Sequence, residues 1–381
     1  PIRVNRLRSK EVWGGRWTKL DPLTEGRTQI LPAGETPFSQ AQVIIAELQR
    51  LARLAPDWSW DRCAVVAREW RFLHPLRSLC EVEGIPVQMA NEDVSSLWRL
   101  RETQALLNQL AESGVAMISI AQIDEWLARQ PDNEWTGLLS QAAAEFEQEF
   151  GISGTPFDGF REWLAEWSHD ARHRQQGLLL LTAHRAKGFE FDHVAVLDGG
   201  WQRSGNDEDP DAARRLFYVA MSRARETLCI ASTGSSHPFL TELARSPAVI
   251  RRELPDRVPV MPKELSRVHR RLGLGEVVLG FAGRRAPKHP LHDSIASLQP
   301  TDELRVRVDE DRWTLLDREG VEVGQLARKF QPPPGMRCVA ARVASIATWN
   351  RELTEPQYRS GTRCKQWEVV VPDLVFTPAV P

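Results

Sequence analysis

The chain has 381 residues, 42% hydrophobic and 26% charged, with a net charge of −2, which excludes global disorder and exceeds what one core usually organises. The near-neutral balance excludes a uniformly basic surface, so any nucleic-acid site has to be a local groove. Seven lysines stand against 42 arginines; arginine suits bidentate phosphate contacts, although a GC-rich genome is the simpler reason. Cys63, Cys80, Cys229, Cys338 and Cys364 are odd in number and lack any CxxC spacing. They predict reduced thiols in a cytoplasmic protein rather than a disulfide framework or a zinc site. The first ten residues, "PIRVNRLRSK", contain no apolar core of a signal peptide, and no run is long enough to span a bilayer. A start at Pro1 fits a trimmed initiator methionine or, as expected here, a piece of a longer chain.

In chain order, "RTQILPA" reads as a strand and "SQAQVIIAELQRLARL" as a helix. Ser39 and Gln42 form a capping-box pattern, and Ile44, Leu48 and Leu51 recur at helical spacing. "CAVVARE" is a fully apolar strand, followed by a helix through Leu76, Leu79 and Cys80, closed by Gly84, and then "IPVQM". Strand, helix, strand implies parallel pairing. Residues 92–176 then turn helical, with stripes Leu100–Thr103–Leu107–Leu110, Trp135–Leu139–Ala142–Phe146–Phe150 and Phe157–Phe160–Leu164–Trp167 that read as core faces. The α/β pattern returns over 177–248: "GLLLLTA", a charged turn, "DHVAVLD", an acidic loop "NDEDPD", the helix "AARRLFYVAMSRARE" and "TLCIAST". Residues 249–299, rich in Arg and Pro, read as a linker. Residues 300–381 read as all-β; in "ELRVRVDED" Leu304, Val306 and Val308 share one face and Arg305 and Arg307 the other.

Two segments carry chemistry. Thr182, His184, Arg185, Lys187 and Glu190 fall just past the end of a buried strand, where ligands of open α/β sheets collect. Gly188 allows an unusual backbone angle or a close ligand approach. The plain alternative is that His184 caps a turn and Glu190 pairs with Lys187. In "DAARRLFYVAMSRARETL", Leu216, Val219 and Ala220 give a packed face and Arg214, Arg215, Arg223 and Arg225 a dense set of cations. A rigidly held arginine at a domain edge suits a transferring phosphoryl group; surface ion pairs with the acidic loop are the alternative.

Taken together, "TAHRAKGFEFDHVAVLDG" and "ARRLFYVAMSRARETL" resemble motifs V and VI of the superfamily 1 DNA helicases related to UvrD, Rep and PcrA. The upstream "CAVVAREWRFLHPLRSLCEVEGIPVQM" is similar to that family's strand–Arg–helix–strand segment, so the resemblance covers about 27–235. It implies a RecA-like parallel-sheet motor domain (2A, residues 1–91 and 177–248) interrupted by a small helical insertion (a reduced 2B, 92–176), a linker (249–299) and a small C-terminal β-barrel (300–381). By the same resemblance, Arg223 is the arginine finger that reaches the ATP γ-phosphate. Gly188, Glu190 and Tyr218 lie on the nucleotide side, with Arg214, Arg215 and Tyr218 bracing the finger and Lys187 supporting it. Thr182, His184, Arg68 and Trp70 contact single-stranded DNA. Departures are Ser222 for the usual Thr, Asp211-Ala212-Ala213 for a Glu-Glu pair, and Trp70 where the family has Asn. The implied activity is 3′–5′ translocation on single-stranded DNA or 3′-tailed duplex, in the cytoplasm and at the nucleoid.

The sequence lacks G-x-x-x-x-G-K-[ST]: no lysine follows a glycine. ATP and Mg²⁺ would be held mainly by a P-loop half in cis or in trans, and the chain alone is expected not to hydrolyse ATP. The layout is similar to long bacterial chains in which a RecQ-like helicase precedes a UvrD-type C-terminal half. "DREGVEVGQLARKF" resembles the V-G-x-L-A core of HIRAN-type barrels, which bind DNA ends, and makes Arg305, Arg307, Arg312, Arg328, Lys329 and Trp313 a candidate basic-aromatic surface. A barrel that docks on protein fits as well. The alternative for the whole chain is a non-catalytic DNA-binding or regulatory module on a decayed motor fold.

Overall fold

The computed structural model describes residues 14–92, 96–151, 153–171, 175–202, 211–234, 237–253 and 263–379. Its elements run α1 (Trp17–Leu20), β1 (Thr28–Pro32), α2 (Pro37–Leu54), β2 (Cys63–Ala67), α3 (His74–Glu83) and β3 (Val87–Met89). Four helices follow: α4 (Arg101–Glu112), α5 (Ile120–Leu127), α6 (Glu134–Phe150) and α7 (Phe157–Ala171). Then come β4 (Leu178–Thr182), β5 (Phe191–Val196), α8 (Ala212–Met221), β6 (Ala224–Ser232), α9 (Pro238–Leu243) and β7 (Val249–Arg251). The last group is β8 (Val268–Arg271), α10 (Pro290–Ser297), β9 (Glu303–Asp309), β10 (Arg312–Leu316), β11 (Glu322–Gln325), β12 (Met336–Asn350), α11 (Pro356–Arg359) and β13 (Gln366–Pro378). The chain divides into two compact units, residues 1–91 with 175–269 and residues 92–174 with 270–381.

The first unit is α/β. Its seven strands lie in the order β3-β4-β2-β5-β6-β1-β7, every pairing parallel. Leu31, Cys63, Val65, Leu178, Leu180, Ala195 and Cys229 pack on the α2 and α3 face, and their alternates Ile30, Ala64, Val66, Leu181, Val194 and Ile230 on the α8 and α9 face. A parallel strand buried on both faces has no polar side to show, which is why "CAVVA" and "LLLLT" read as continuous apolar runs. The strand–helix–strand reading of β2, α3 and β3 holds locally, but β4 inserts between the two strands. The α2 helix starts two residues before the proposed capping box. Pro37 opens it, and Thr36 accepts the Ser39 N–H at 3.1 Å, because proline's fixed φ and missing N–H suit the first helical position. Gly84, at φ +65°, ends α3 as expected.

A buried imidazole makes this unit pH-sensitive. His193 on β5 stacks on Trp58 at 4.3 Å, meets Trp17 edge-on, and bonds Thr227 Oγ1 at 2.9 Å. Burial pushes its pKa down to about 4, outweighing the nearby Glu226. The unfolded chain therefore takes up a proton near pH 6.5 that the folded chain refuses, so this contribution is full above 6.5 and is lost as pH falls toward 4. The loss amounts to about 3 kcal/mol. Urea titrations of wild type and His193→Gln between pH 7 and 4.5 check it: the variant's stability should fall less steeply, and parallel curves refute it.

The second unit joins the helical segment to the β segment. Helices α4–α7 enclose Leu107, Trp135, Leu139, Phe146, Phe160 and Leu164, so the three sequence stripes are core faces. The six-stranded sheet has the order β11-β10-β9-β12-β13-β8, antiparallel where β9–β13 pair. The Trp135 indole donates to the Ala344 carbonyl at 2.9 Å, and Leu100 bridges Ala347 on β12. Arg271 grips Glu134 through two 3.0 Å bonds. Of the stretch expected as a linker, 249–299, the described residues supply β7 to the parallel sheet and β8 and α10 to the other unit. It also closes the barrel. Leu272 donates to Pro372 on β13, while Val277 bridges Leu326 just past β11 at the opposite edge. The apolar face expected of β9 is buried only at Leu304; Val308 is 48% exposed where the strand runs past the core.

Candidate nucleic-acid and phosphate site

The charged turn is built by the end of β4. Leu178–Thr182 is buried throughout, and the Ala183 N–H pairs with the Ala67 carbonyl, so β4 and β2 end side by side. The chain then coils back, the Thr182 carbonyl accepting the N–H groups of Arg185 and Ala186. Thr182 itself is buried, while His184, Lys187, Gly188 and Glu190 are exposed. Arg68, at the end of β2, meets His184 with Nη1 3.3 Å from Nδ1. Two residues with an implied DNA role thus come together from adjacent strands. Trp70 lies one turn further, beneath the Arg185 guanidinium at 5.8 Å, and Arg185 is anchored on the Ala90 carbonyl at 2.7 Å.

The α8 helix brings the arginine cluster. Arg223, one residue past its C-terminal cap, donates from Nε to Val219 O, from Nη1 to Phe189 O and from Nη2 to Ser222 Oγ, each at 2.9 Å. The Phe191 N–H returns to the Arg223 carbonyl at 2.9 Å. Arg223 thereby laces the β4–β5 turn to the end of α8. Of the residues expected to brace it, Arg214 pairs with Glu242 at 2.7 Å, and Tyr218 is 38% exposed. Arg215 lines the cleft described below. The Glu190–Lys187 pairing is also replaced, since Glu190 accepts from Arg225 Nε at 3.1 Å. Gly188 has φ +91° with open space where a Cβ would stand, so the backbone angle, and not crowding, demands glycine there.

Between the turn and α8 lies a cleft of about 280 Å³, lined by Arg68, Ala183, His184, Lys187, Ala212, Ala213, Arg215, Leu216 and Val219. Among the described residues its walls carry these cationic and imidazole side chains and no carboxylate. The floor is apolar, so solvent screening is reduced and an anion held here feels a concentrated field. The acidic loop "NDEDP" of 206–210 falls outside the described residues.

Residues 161–235 match the family model of the UvrD-like helicase C-terminal domain. Two curated relatives, both ATP-dependent DNA helicase PcrA from strains of Staphylococcus epidermidis, are 30% identical over 97 residues, which is 23% of this chain and 13% of theirs. The chain therefore matches only a small part of those proteins' length. The C-terminal domain of a possible DNA helicase from Lactobacillus plantarum WCFS1 superposes at 12% identity and a TM-score of 0.30 over 62% of this chain and 92% of that one. A likeness that loose carries no weight.

One group in the first unit had almost no signal in the sequence. Asp198, buried just past β5, accepts from Gly199 N–H at 2.7 Å and from Thr233 N–H and Oγ1 at 2.9 and 2.7 Å. Gln40 on α2 clasps its backbone from both sides, at 3.1 and 2.8 Å. The carboxylate lies 3.7 Å from His237, whose ring meets Phe217 of α8 edge-on at 4.6 Å. Burial pulls the His237 pKa down against the attraction of Asp198. The only sequence signal was an aspartate directly after the apolar run "VAVL".

Proposed function

We propose that this chain is the C-terminal motor half of an ATP-dependent 3′–5′ DNA helicase or single-stranded-DNA translocase. The observation that carries the reading is the cleft at the ends of β2 and β4, where Arg68, His184, Lys187 and Arg215 converge and no carboxylate lines the wall among the described residues. A phosphodiester fits it: phosphate contacts dominate affinity for single strands, and no base-specific geometry is needed. Arg223 has five N–H donors and uses three on its own chain, leaving two for a phosphoryl oxygen. ATP would supply the free energy and Mg²⁺ the charge neutralisation, both held mainly by a P-loop half joined in cis or in trans. This half orients Arg223, grips the strand, and links the two through the β4–β5 turn. On its own it hydrolyses no ATP.

Anisotropy of labelled oligothymidine of about 20 nucleotides, titrated across about 50–200 mM salt, tests the cleft. Lys187→Ala with Arg215→Ala should weaken binding about tenfold and lower the salt slope by about 0.7 per cation removed. Unchanged affinity and slope would remove the basis of the proposal. A second reading, a non-catalytic DNA-binding module, draws support from the three bonds that already hold Arg223. It predicts the same DNA binding but no ATP turnover when the P-loop half is supplied.

A further inference from the structure

On the barrel's sequence-nominated basic face, Arg307 is neutralised and Arg305 is tied down. Arg307 pairs with Asp309 at 2.8 Å and Glu322 at 2.5 Å, and Arg305 spends its guanidinium on the Arg318 carbonyl. Unpaired cations gather elsewhere in the same unit. Arg284, Arg285 and Lys288 precede α10, and Arg351, Arg359, Arg363 and Lys365 lie in the β12–β13 connection. Each is exposed, and none forms an ion pair among the described residues.

The backbone draws the two stretches together. The Gly283 carbonyl accepts the N–H groups of Arg363 at 2.7 Å and Cys364 at 3.2 Å, and the Cys364 thiol points to the Arg285 carbonyl. The Arg351 N–H pairs with the Lys365 carbonyl at 2.9 Å, setting those two residues opposite each other. Arg359 is pinned by the Thr354 and Glu352 carbonyls, 2.7 Å each, so its guanidinium is fixed without being neutralised. Gly283 is obligatory at this junction, because a Cβ there would stand 2.6 Å from the Trp367 ring. Like charges gathered this way repel one another, a cost that a bound polyanion would relieve. Tyr358, 56% exposed, stands in the same connection and offers a ring for a base to stack on. Helices α6 and α7 of the same unit carry eight carboxylates and one arginine, and so repel a polyanion.

We infer that the surface formed by residues 284–288 and 351–365 is a second nucleic-acid site, one that binds the DNA phosphate backbone without reading sequence. The inference builds on the DNA-binding reading above but concerns different residues. The test uses the full chain and labelled single-stranded and duplex DNA at increasing salt. Arg351→Ala, Arg363→Ala and Lys365→Ala combined should weaken DNA binding about tenfold and lower the single-strand salt slope by about 2. Lysine at 351 and 363 should restore most of the affinity, and unchanged melting of the triple variant controls for folding. Arg307→Ala, at a cation already paired with Asp309 and Glu322, should leave affinity unchanged. If the triple variant binds like wild type while the Lys187/Arg215 variant does not, this inference fails and the cleft reading stands. If only the triple variant weakens, the cleft reading fails and this one stands. Tighter binding to phosphatidylserine vesicles than to DNA, lost in the triple variant, would assign the surface to membranes and overturn it.

Discussion

Lysine in place of Arg223 is expected to cut ATP turnover about 10³-fold or more once the P-loop half is supplied, as loss of an arginine finger does, while DNA affinity stays within about twofold. The geometry also demands a structural cost. Lysine can satisfy one of the acceptors Phe189 O, Val219 O and Ser222 Oγ, where the guanidinium satisfies all three. Each lost bond is worth about 1 kcal/mol, so the isolated chain should lose about 1–3 kcal/mol in urea unfolding. The two readouts separate the roles. A turnover defect that vanishes under conditions where the variant is fully folded would mark Arg223 as a brace alone.

Removing Glu47 is expected to be the most damaging single change to the fold. Its fully buried carboxylate accepts from Gln29 Nε2 at 2.8 Å, from Arg50 Nε and Nη2 at 2.9 and 2.8 Å, and from Arg252. Arg50 also grips Asp21 at 3.0 and 2.6 Å. Burial alone would lower the Arg50 pKa, but its bonds to Glu47 and Asp21 raise it overall, so Arg50 stays charged. Glu47→Ala leaves Arg50 only Asp21 and removes the Arg252 counter-ion, at a cost of about 3–5 kcal/mol. The Gln29 amide loses an acceptor at the same time. Replacing the whole set with apolar residues would cost far less, because the penalty lies in the unpaired remainder. Urea midpoints for Glu47→Ala and Glu47→Gln decide the matter, and a change under about 1 kcal/mol would show that water reaches the cluster.

What could be read in advance was what periodicity and local motifs encode. The buried strands, the helical stripes and the two charged segments all fall where their side-chain spacing put them. Backbone partners leave no such trace. Arg223 binds two carbonyls, and a carbonyl is present at every position, so nothing in "MSRARE" announces Phe189 or Val219. Glu190 has Lys187 three residues away in sequence, but the fold brings it Arg225, 35 residues on. The barrel's closing segment was missed because "RVHRRLGLGEVVLG" is arginine-rich and too short for a clear alternation. The basic surface of residues 284–288 and 351–365 has no periodicity either, being assembled by hydrogen bonds to Gly283 across some 80 residues of chain.

The interleaving of the two units sets an order for synthesis. Trp135 emerges more than 200 residues before its acceptor, the Ala344 carbonyl, and α4–α7 must wait for β12 with an apolar flank unsatisfied. The parallel sheet is complete once β7 has been made, well before the barrel. A fragment starting at residue 300 should fail for the same reason: it would lack β8 and the Val277–Leu326 bridge, leaving both edges of an unclosed sheet open to other chains.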